Sequence, residues 1–421
     1  MRILIIAGLL ISSLFLQAQD TLRFMQYNLL MYGNDFGGCN QSNNNLNDKN
    51  QYLNKIVEYF RPDVLTVNEI YKADYIHEYL MSNALNVNGV DYFEKGNPPN
   101  LANSYIVNQV FYNKEKLSLE SDIVIETGVR DIDIFKLKYQ PANSGDPVYI
   151  HCIVAHLKAG NSYEDEIERS NETNKLMNYL SNSNASGNYL MMGDFNVYSS
   201  SEPAFQNLVN YQNNEVRFYD PINRLGEWNN FYVFSDVHTQ STHTDGDCAS
   251  GGGMDDRFDF ILASDEIIDG TNKAKYVPGS YRAIGQDGEH FNKSLLDSPQ
   301  NTTVPVGVLN ALYGMSDHLP VVLELAVGDN VGISQINNKD FRVSILNPVS
   351  DGIELRIKSS KPVQLNLAIV NLQGQTLTQE FYEGQGTGIK KLSIYGLPKG
   401  IYFLIVKDRK KGSSAMKFMK F

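Results

Sequence analysis

Three cysteines in 421 residues are too few for a disulfide framework, so the chain must fold around hydrophobic cores. Its 14 prolines and 32 glycines fall short of collagen-like or low-complexity composition, and 42% hydrophobic residues exclude a wholly disordered chain. Positive charge is the scarcer sign. Lys and Arg number 36 against 48 Asp and Glu, a net charge of −12, which excludes a polybasic nucleic-acid coat. Long apolar runs are missing too. Spanning a bilayer takes about 18 or more apolar residues, and no stretch supplies them, so no stable membrane insertion is expected. The length exceeds what one core usually organises, which predicts a large domain and a smaller one.

The charge that is present is unevenly placed. From Phe341 to the C-terminus there are 13 basic and 5 acidic residues, a net +8, leaving 23 basic and 43 acidic, a net −20, in the first 340. Two modules are implied. Met1-Arg2, the near-continuous apolar run Ile3–Leu16 and the small Ala18 before Gln19 describe a secretory signal peptide over 1–18. Cys152, in the apolar run Val148–Val154, is expected to be a buried thiol. Cys39 and Cys248 lie in Gly/Asn/Asp-rich loops and could pair in an exported protein, but sequence sets no distance between them.

Short apolar runs alternate with helical patterns from Leu22 to about Val327. Strands are predicted at Leu22–Tyr27, Val64–Val67, Val107–Tyr112, Ile132–Tyr139, Val148–Ala155, Tyr189–Met192, Arg257–Leu262 and Pro320–Leu325. Helices are predicted at Lys49–Phe60, stopped by Pro62, and at Glu164–Leu180. This interleaving indicates an α/β body over 19–327. A Gly/Asp/Asn/Ser-rich stretch, 328–340, reads as a linker. Residues 341–421 show only short alternating strands between Gly-rich turns, the pattern of a small β-sandwich.

Polar residues of the body fall at predicted strand ends: Asn28, Glu69, His156 and the run Gly193-Asp194-Phe195-Asn196. Asp259 sits between Phe258 and Phe260 inside an apolar strand, which is costly for a carboxylate without a partner. Ser316-Asp317-His318-Leu319-Pro320 precedes the last strand. Taken in order, these pieces with Pro62-Asp63-Val64 and Arg257-Phe258-Asp259-Phe260 resemble the endonuclease/exonuclease/phosphatase superfamily, whose fold is that of deoxyribonuclease I. The resemblance covers residues 20 to 327. It implies an α/β four-layer sandwich of two packed β-sheets flanked by helices, with the site at one edge.

The resemblance also implies roles. Glu69, with Asn28 and Asp317, would bind Mg²⁺, with Mn²⁺ or Ca²⁺ as alternatives; oxygen ligands suit such hard cations. Asp194 would orient and deprotonate water, and Asn196 would donate to a phosphate oxygen. His318, kept cationic by Asp259, would neutralise transition-state charge. His156 matches a second histidine of the nuclease branch, but residues 97–113 lack the acid that pairs with it there. Leu30 replaces an aspartate that some members carry, which favours a single metal. Arg130 and Lys158 would contact substrate phosphates. His238, His243 and the aspartates 245, 247, 255 and 256 lie in a Gly-rich loop expected to cover the site; their spacing fits no EF-hand.

Asn347-Pro348, Asn371-Leu372-Gln373-Gly374-Gln375, Leu397-Pro398-Lys399-Gly400-Ile401-Tyr402 and Lys417-Phe418-Met419-Lys420-Phe421 resemble a type IX secretion sorting domain. This immunoglobulin-like sandwich over 341–421 would engage the type IX machinery and direct the chain, through the periplasm, to the medium or cell surface. The expected activity is extracellular DNA/RNA cleavage by a monomer. A sphingomyelinase-like or small-molecule phosphoesterase is the alternative of the same fold, although no exposed aromatic hairpin is evident in the sequence. A non-catalytic binding module is the alternative of a different class.

Overall fold

The computed structural model describes residues 20–420 except 141–146, 184, 329–332, 338–339, 347–351 and 409–411. The predicted signal peptide therefore lies outside the described residues. The first sheet is built from β1 (Asp20–Tyr32), β2 (Val64–Tyr71), β3 (Phe93–Lys95) and β4 (Ile106–Asn113). The second takes β5 (Leu117–Ile125), β6 (Ile132–Tyr139), β7 (Val148–His156), β8 (Asn188–Asp194), β9 (Phe218–Tyr219) and β10 (Asp259–Ser264). The chain then returns to the first sheet with β11 (Ala274–Tyr276), β12 (Arg282–Ala283) and β13 (Val321–Val327). The orders are β11-β13-β1-β2-β4-β3, with β12 also on β13, and β5-β6-β7-β8-β10-β9. Only β1–β2 and β7–β8 are parallel among these pairs.

Period-two alternation explains the layering. Leu22 and Phe24 of β1, Val64 of β2, Cys152 and Val154 of β7 and Leu190 and Met192 of β8 face the other sheet and form the central core. Their alternate neighbours face outward. Met25, Tyr27 and Leu65 meet α1 (Leu46–Phe60) and, later in the chain, the helix Val306–Met315, whereas Ile153 and Met191 meet α3 (Tyr163–Asn182) and α4 (Pro203–Val209). Between α1 and α3 lies α2 (Asp74–Leu80); α5 (Asp265–Asp269) follows β10, and Val306–Met315 is α6. Two sheets with helices on both outer faces are the expected architecture. Among the described residues no helix is long and apolar enough to cross a membrane.

The remaining strands, β14 (Ile333–Asn337), β15 (Phe341–Leu346), β16 (Gly352–Val370), β17 (Thr376–Ser393), β18 (Gly400–Asp408) and β19 (Gly412–Lys420), are all antiparallel. β16 is long enough to pair with β15 along its first half and β18 along its second, while β17 follows its whole length. A register break between Ser359 and Val363 separates the halves, and the strands enclose their own core of Val343, Leu355, Leu365, Leu404 and Phe418. The linker predicted at 328–340 is partly structured: Ile333–Asn337 pairs with β15. Its Gly, Asn and Asp surroundings hide an edge strand that has little alternation of its own.

Candidate active site

The inward faces of the strands change character along their length. On β1, Leu22 and Phe24 give way to Gln26 and Asn28; on β2, Val64 gives way to Thr66 and Asn68. β7 ends in His156 and β8 in Asp194. Burying these groups is tolerable only if they pair. Gln26 Nε2 donates to Asn68 Oδ1 (2.6 Å), Asn68 Nδ2 to Asn108 Oδ1 (2.7 Å), and the Asp194 N–H to Asn68 Oδ1 (3.0 Å). Asn68 thus stitches the two sheets together beneath the site. Sequence reasoning passed over it, although its place one residue before Glu69 on a strand end was a usable signal.

Register sets three site residues side by side. Asp194 of β8 stands opposite His156 of β7 on one side and Asp259 of β10 on the other. Gly193 permits this, because a Cβ there would fall 1.8 Å from the Ala155 carbonyl oxygen. Glu69 comes from the other sheet, where the β2–β4 register slips between Val67 and Ile70 and Glu69 takes a left-handed backbone (φ 59°). Asn28 Nδ2 bridges the sheets, donating to Glu69 Oε1 (3.1 Å) and Asp194 Oδ2 (3.0 Å). Asn28 therefore turns its amide nitrogen to the carboxylates, while its oxygen accepts from the Leu30 N–H (2.9 Å).

Glu69, His156 and Asp194 each place one ligand atom within 4.8 Å of the others. Among the described residues they form the group of His, Cys, Asp and Glu side chains able to share an ion; Asp317 and the four loop aspartates stand outside it. His156 Nε2 lies 3.8 Å from Glu69 Oε1 and 3.5 Å from Asp194 Oδ2, and its buried Nδ1 has no hydrogen-bond partner. Asp317 Oδ2 accepts from the Ser250 N–H (2.9 Å) and Gln240 Nε2 (3.4 Å), whereas its buried Oδ1 is unpartnered. A buried and a partly buried carboxylate with an imidazole nitrogen and spare acceptor atoms suit a divalent cation.

His318 completes the cluster. Its Nδ1 is 2.7 Å from Asp259 Oδ2, and its Nε2 is 2.7 Å from Gln240 Nε2, 3.7 Å from Asp194 Oδ2 and 4.0 Å from Asp317 Oδ1. In this arrangement Nδ1–H donates to Asp259 and Nε2 accepts from the Gln240 amide. Protonating Nε2 requires that amide to turn. Gln240 is a second residue missed in the sequence; a short ladder between residues 239–242 and 317–319 brings it here.

Burial and charge push the titrating groups apart. Burial lowers His318, but Asp259, Asp194 and Asp317 outweigh it and hold the imidazole well above its ordinary value. His156, buried beside Arg130 and His318, is held well below. Asp194 is raised to about 7, first by burial and then by Asp259 and Glu69, against the pull of His318 and Asn28.

The remaining expected residues are placed as follows. Asn196, with left-handed backbone (φ 51°), donates its N–H to Asp194 Oδ1 (3.1 Å) and its Nδ2 to the Leu157 carbonyl (3.3 Å). Arg130 donates to the carbonyls of His156 (2.8 Å) and Leu157 (2.6 Å), at the margin of the cluster. Lys158 is drawn to Asp165 (2.5 Å) and the Ala159 carbonyl, not to the cluster. His238 is fully buried against the Trp228 carbonyl, and His243 stacks on Tyr313. Their loop does reach the site, through Ser250 and Gln240, and the Cys39–Cys248 disulfide ties it to the β1–α1 connection. Cys152 is a free buried thiol.

No curated protein matches the chain. Solved structures similar to it include the human Nocturnin catalytic domain with bound sulfate (15% identity, 74% of this chain and 98% of that one, TM-score 0.45). Two others are D. rerio TDP2 complexed with a single-strand DNA product (13%, 73% and 99%, 0.46) and an endonuclease/exonuclease/phosphatase from Bacteroides vulgatus (13%, 74% and 100%, 0.46). Residues 347–420 match the family model for a secretion system C-terminal sorting domain. The β14–β19 unit thus carries a sorting domain, and the protein is destined for secretion or the cell surface.

Proposed function

We propose that this chain is a secreted, divalent-metal-dependent phosphodiesterase, acting on DNA or RNA as an endonuclease. The observation that supports it most is the meeting of Glu69, His156 and Asp194 with the His318–Asp259 pair at one end of both sheets. Glu69 and Asp194, with His156, would hold the ion, and the imidazole nitrogen makes Mn²⁺ as suitable as Mg²⁺. A bound divalent ion supplies Lewis-acid polarisation of the phosphate. Asp194 would also orient a water and accept its proton. The His318 imidazolium, held by Asp259, would offset charge developing on the phosphate oxygens, and Asn196 would donate to one of them. Asn28 would align the two carboxylates, and Asp317 would add to the negative charge that keeps His318 cationic. The catalytic body would span 19–327, behind a signal peptide removed at 18, with residues 341–421 addressing it to the type IX machinery.

The −20 body disfavours tight, non-specific polyanion binding, so contact would be local and supported by the ion and Arg130. One observation favours a lipid phosphodiester as a second reading. Phe231, Tyr232 and Val233 are 48%, 64% and 57% exposed on adjacent positions at the start of the short 3-10 helix Tyr232–Val237, which leads to His238 and Gln240. The purified chain incubated with plasmid DNA, RNA, sphingomyelin and bis(p-nitrophenyl) phosphate should cleave nucleic acid with Mg²⁺ or Mn²⁺. EDTA and Asp194→Asn should each abolish cleavage. Activity indifferent to both would refute the proposal, and cleavage of sphingomyelin alone would transfer it to the lipid reading.

A further inference from the structure

β1 does not run straight into the site. Leu30 and Met31 both have left-handed backbone, φ 45° and 51°, which L-residues keep only where the surroundings hold them. The kink aims two N–H groups inward. That of Leu30 donates to Asn28 Oδ1 (2.9 Å) and that of Met31 to Glu69 Oε2 (3.0 Å). The carbonyls need partners of their own. Lys49, in the first turn of α1, supplies them: its Nζ donates to Leu29 O (2.7 Å), Leu30 O (2.6 Å) and Asn44 Oδ1 (2.5 Å). Asn44 Nδ2 in turn donates to Leu30 O (3.2 Å) and Met31 O (3.1 Å).

Lys49 is only 2% exposed, and all three ammonium protons are used. Among the described residues no carboxylate forms an ion pair with it, so its partners are neutral oxygens. Burial draws it down to about 7, against the pull of Asp317 and Glu69. A lysine buried this way is costly, and an apolar residue would pack there without that cost. What the apolar residue could not do is hold the two carbonyls.

We infer that Lys49 is a positioning residue of the metal site: its ammonium fixes the β1 kink that presents Met31 N–H to Glu69 and Leu30 N–H to Asn28. This rests on the metal reading above. Without the ammonium, the Leu29 carbonyl loses its buried donor and the Leu30 carbonyl keeps only Asn44 Nδ2, the kink relaxes toward extended strand, and Glu69 loses the hydrogen bond that orients it.

The test is Mn²⁺ binding to the full chain, followed by the electron paramagnetic resonance of free Mn²⁺. The parent should bind Mn²⁺ and Glu69→Gln should lose it. Lys49→Met, which keeps the aliphatic stem, should weaken affinity about 10–100-fold, the usual effect of removing a group that orients a ligand. Asn44→Ala should weaken it in the same direction by less. Leu176→Ala, in the helix on the opposite face, lowers the melting temperature without changing affinity and so separates positioning from general destabilisation. A folded Lys49→Met with parental affinity would overturn the inference. If that variant fails to fold, parental affinity in Asn44→Ala would overturn it. A parent chain that binds no Mn²⁺ would overturn the metal reading as well.

Discussion

Asp259→Asn keeps the shape of a side chain with no solvent exposure and removes its charge. The carboxylate oxygen sits 2.7 Å from His318 Nδ1, and an amide oxygen can still accept that hydrogen bond. Ring orientation should therefore survive while the imidazolium loses its nearest counter-charge. Two unit charges 4 Å apart attract by about 4 kcal/mol at an effective dielectric constant of roughly 20, and this pair is closer. Much of that attraction is offset by burial, the first effect acting on His318. What remains should appear as a kcat loss of about 10²–10³, or roughly 3–4 kcal/mol of transition-state stabilisation, with a smaller change in KM. Stability adds a sign. A histidine raised in the folded state stabilises fully below its unfolded value, near 6.5, and this contribution fades as pH rises through the folded value. The variant should therefore be most destabilised relative to the parent in mild acid, and the gap should narrow on the alkaline side. The assays are steady-state hydrolysis of bis(p-nitrophenyl) phosphate against pH, urea melts at acid and alkaline pH, and the His318 C2 proton resonance. A kcat within about threefold of the parent, with His318 titrating unchanged, would refute the reasoning.

Two further outcomes are expected. Arg257 is buried between Trp228, Phe260 and Tyr281 and makes a bidentate pair with Asp220 (2.8 and 3.0 Å), so Arg257→Met should cost about 3–5 kcal/mol in urea unfolding by stranding that carboxylate. Adding Asp220→Leu should recover part of the loss; a cost below about 1 kcal/mol would show that the pair is not what holds this region. Ending the chain at Gly328 should leave hydrolysis intact and abolish release from the cell. The C-terminal core is separate from the three body cores, and among the described residues the side-chain contacts that cross include partly exposed ion pairs of Arg356 and Lys358 with Asp265, Asp269 and Glu215, each worth about 0–1 kcal/mol, and the Arg356 guanidinium over the Tyr219 ring. Loss of activity in the purified truncation would contradict this independence.

Much of the body could be read along the chain because strand periodicity is local. Ile132–Tyr139 falls where its alternation places it, and Val64, Val148 and Asn188 begin strands close to their predicted starts. Where local pattern is weak, elements escaped. β5 is a half-exposed edge strand with charged residues interrupting its alternation, and α6 carries Gly307 and Gly314 within a run too apolar to show a helical stripe. The predicted strand at Arg257 begins two residues later, because the N–H groups of Phe258 and Asp259 both turn to Thr239 Oγ1.

The site divides along the same line. Asn28, Glu69, His156, Asp194, Asp259 and His318 could be singled out in the sequence because each breaks an apolar strand pattern at its end or within it. Which atoms face one another could not. The turn of the Asn28 amide toward both carboxylates, the arrival of Gln240 at His318 and the engagement of Lys158 by Asp165 depend on packing between segments far apart in the chain. Lys49 shows the limit most clearly: as a sequence letter it is one polar position on an amphipathic helix, and only the folded β1 kink makes its three donors necessary. Sequence alone determined which residues break the apolar patterns and that the two modules differ in charge. Tertiary structure decided which of those residues share one buried space, because a hydrogen bond is specified by ångströms and an apolar periodicity only by its repeat.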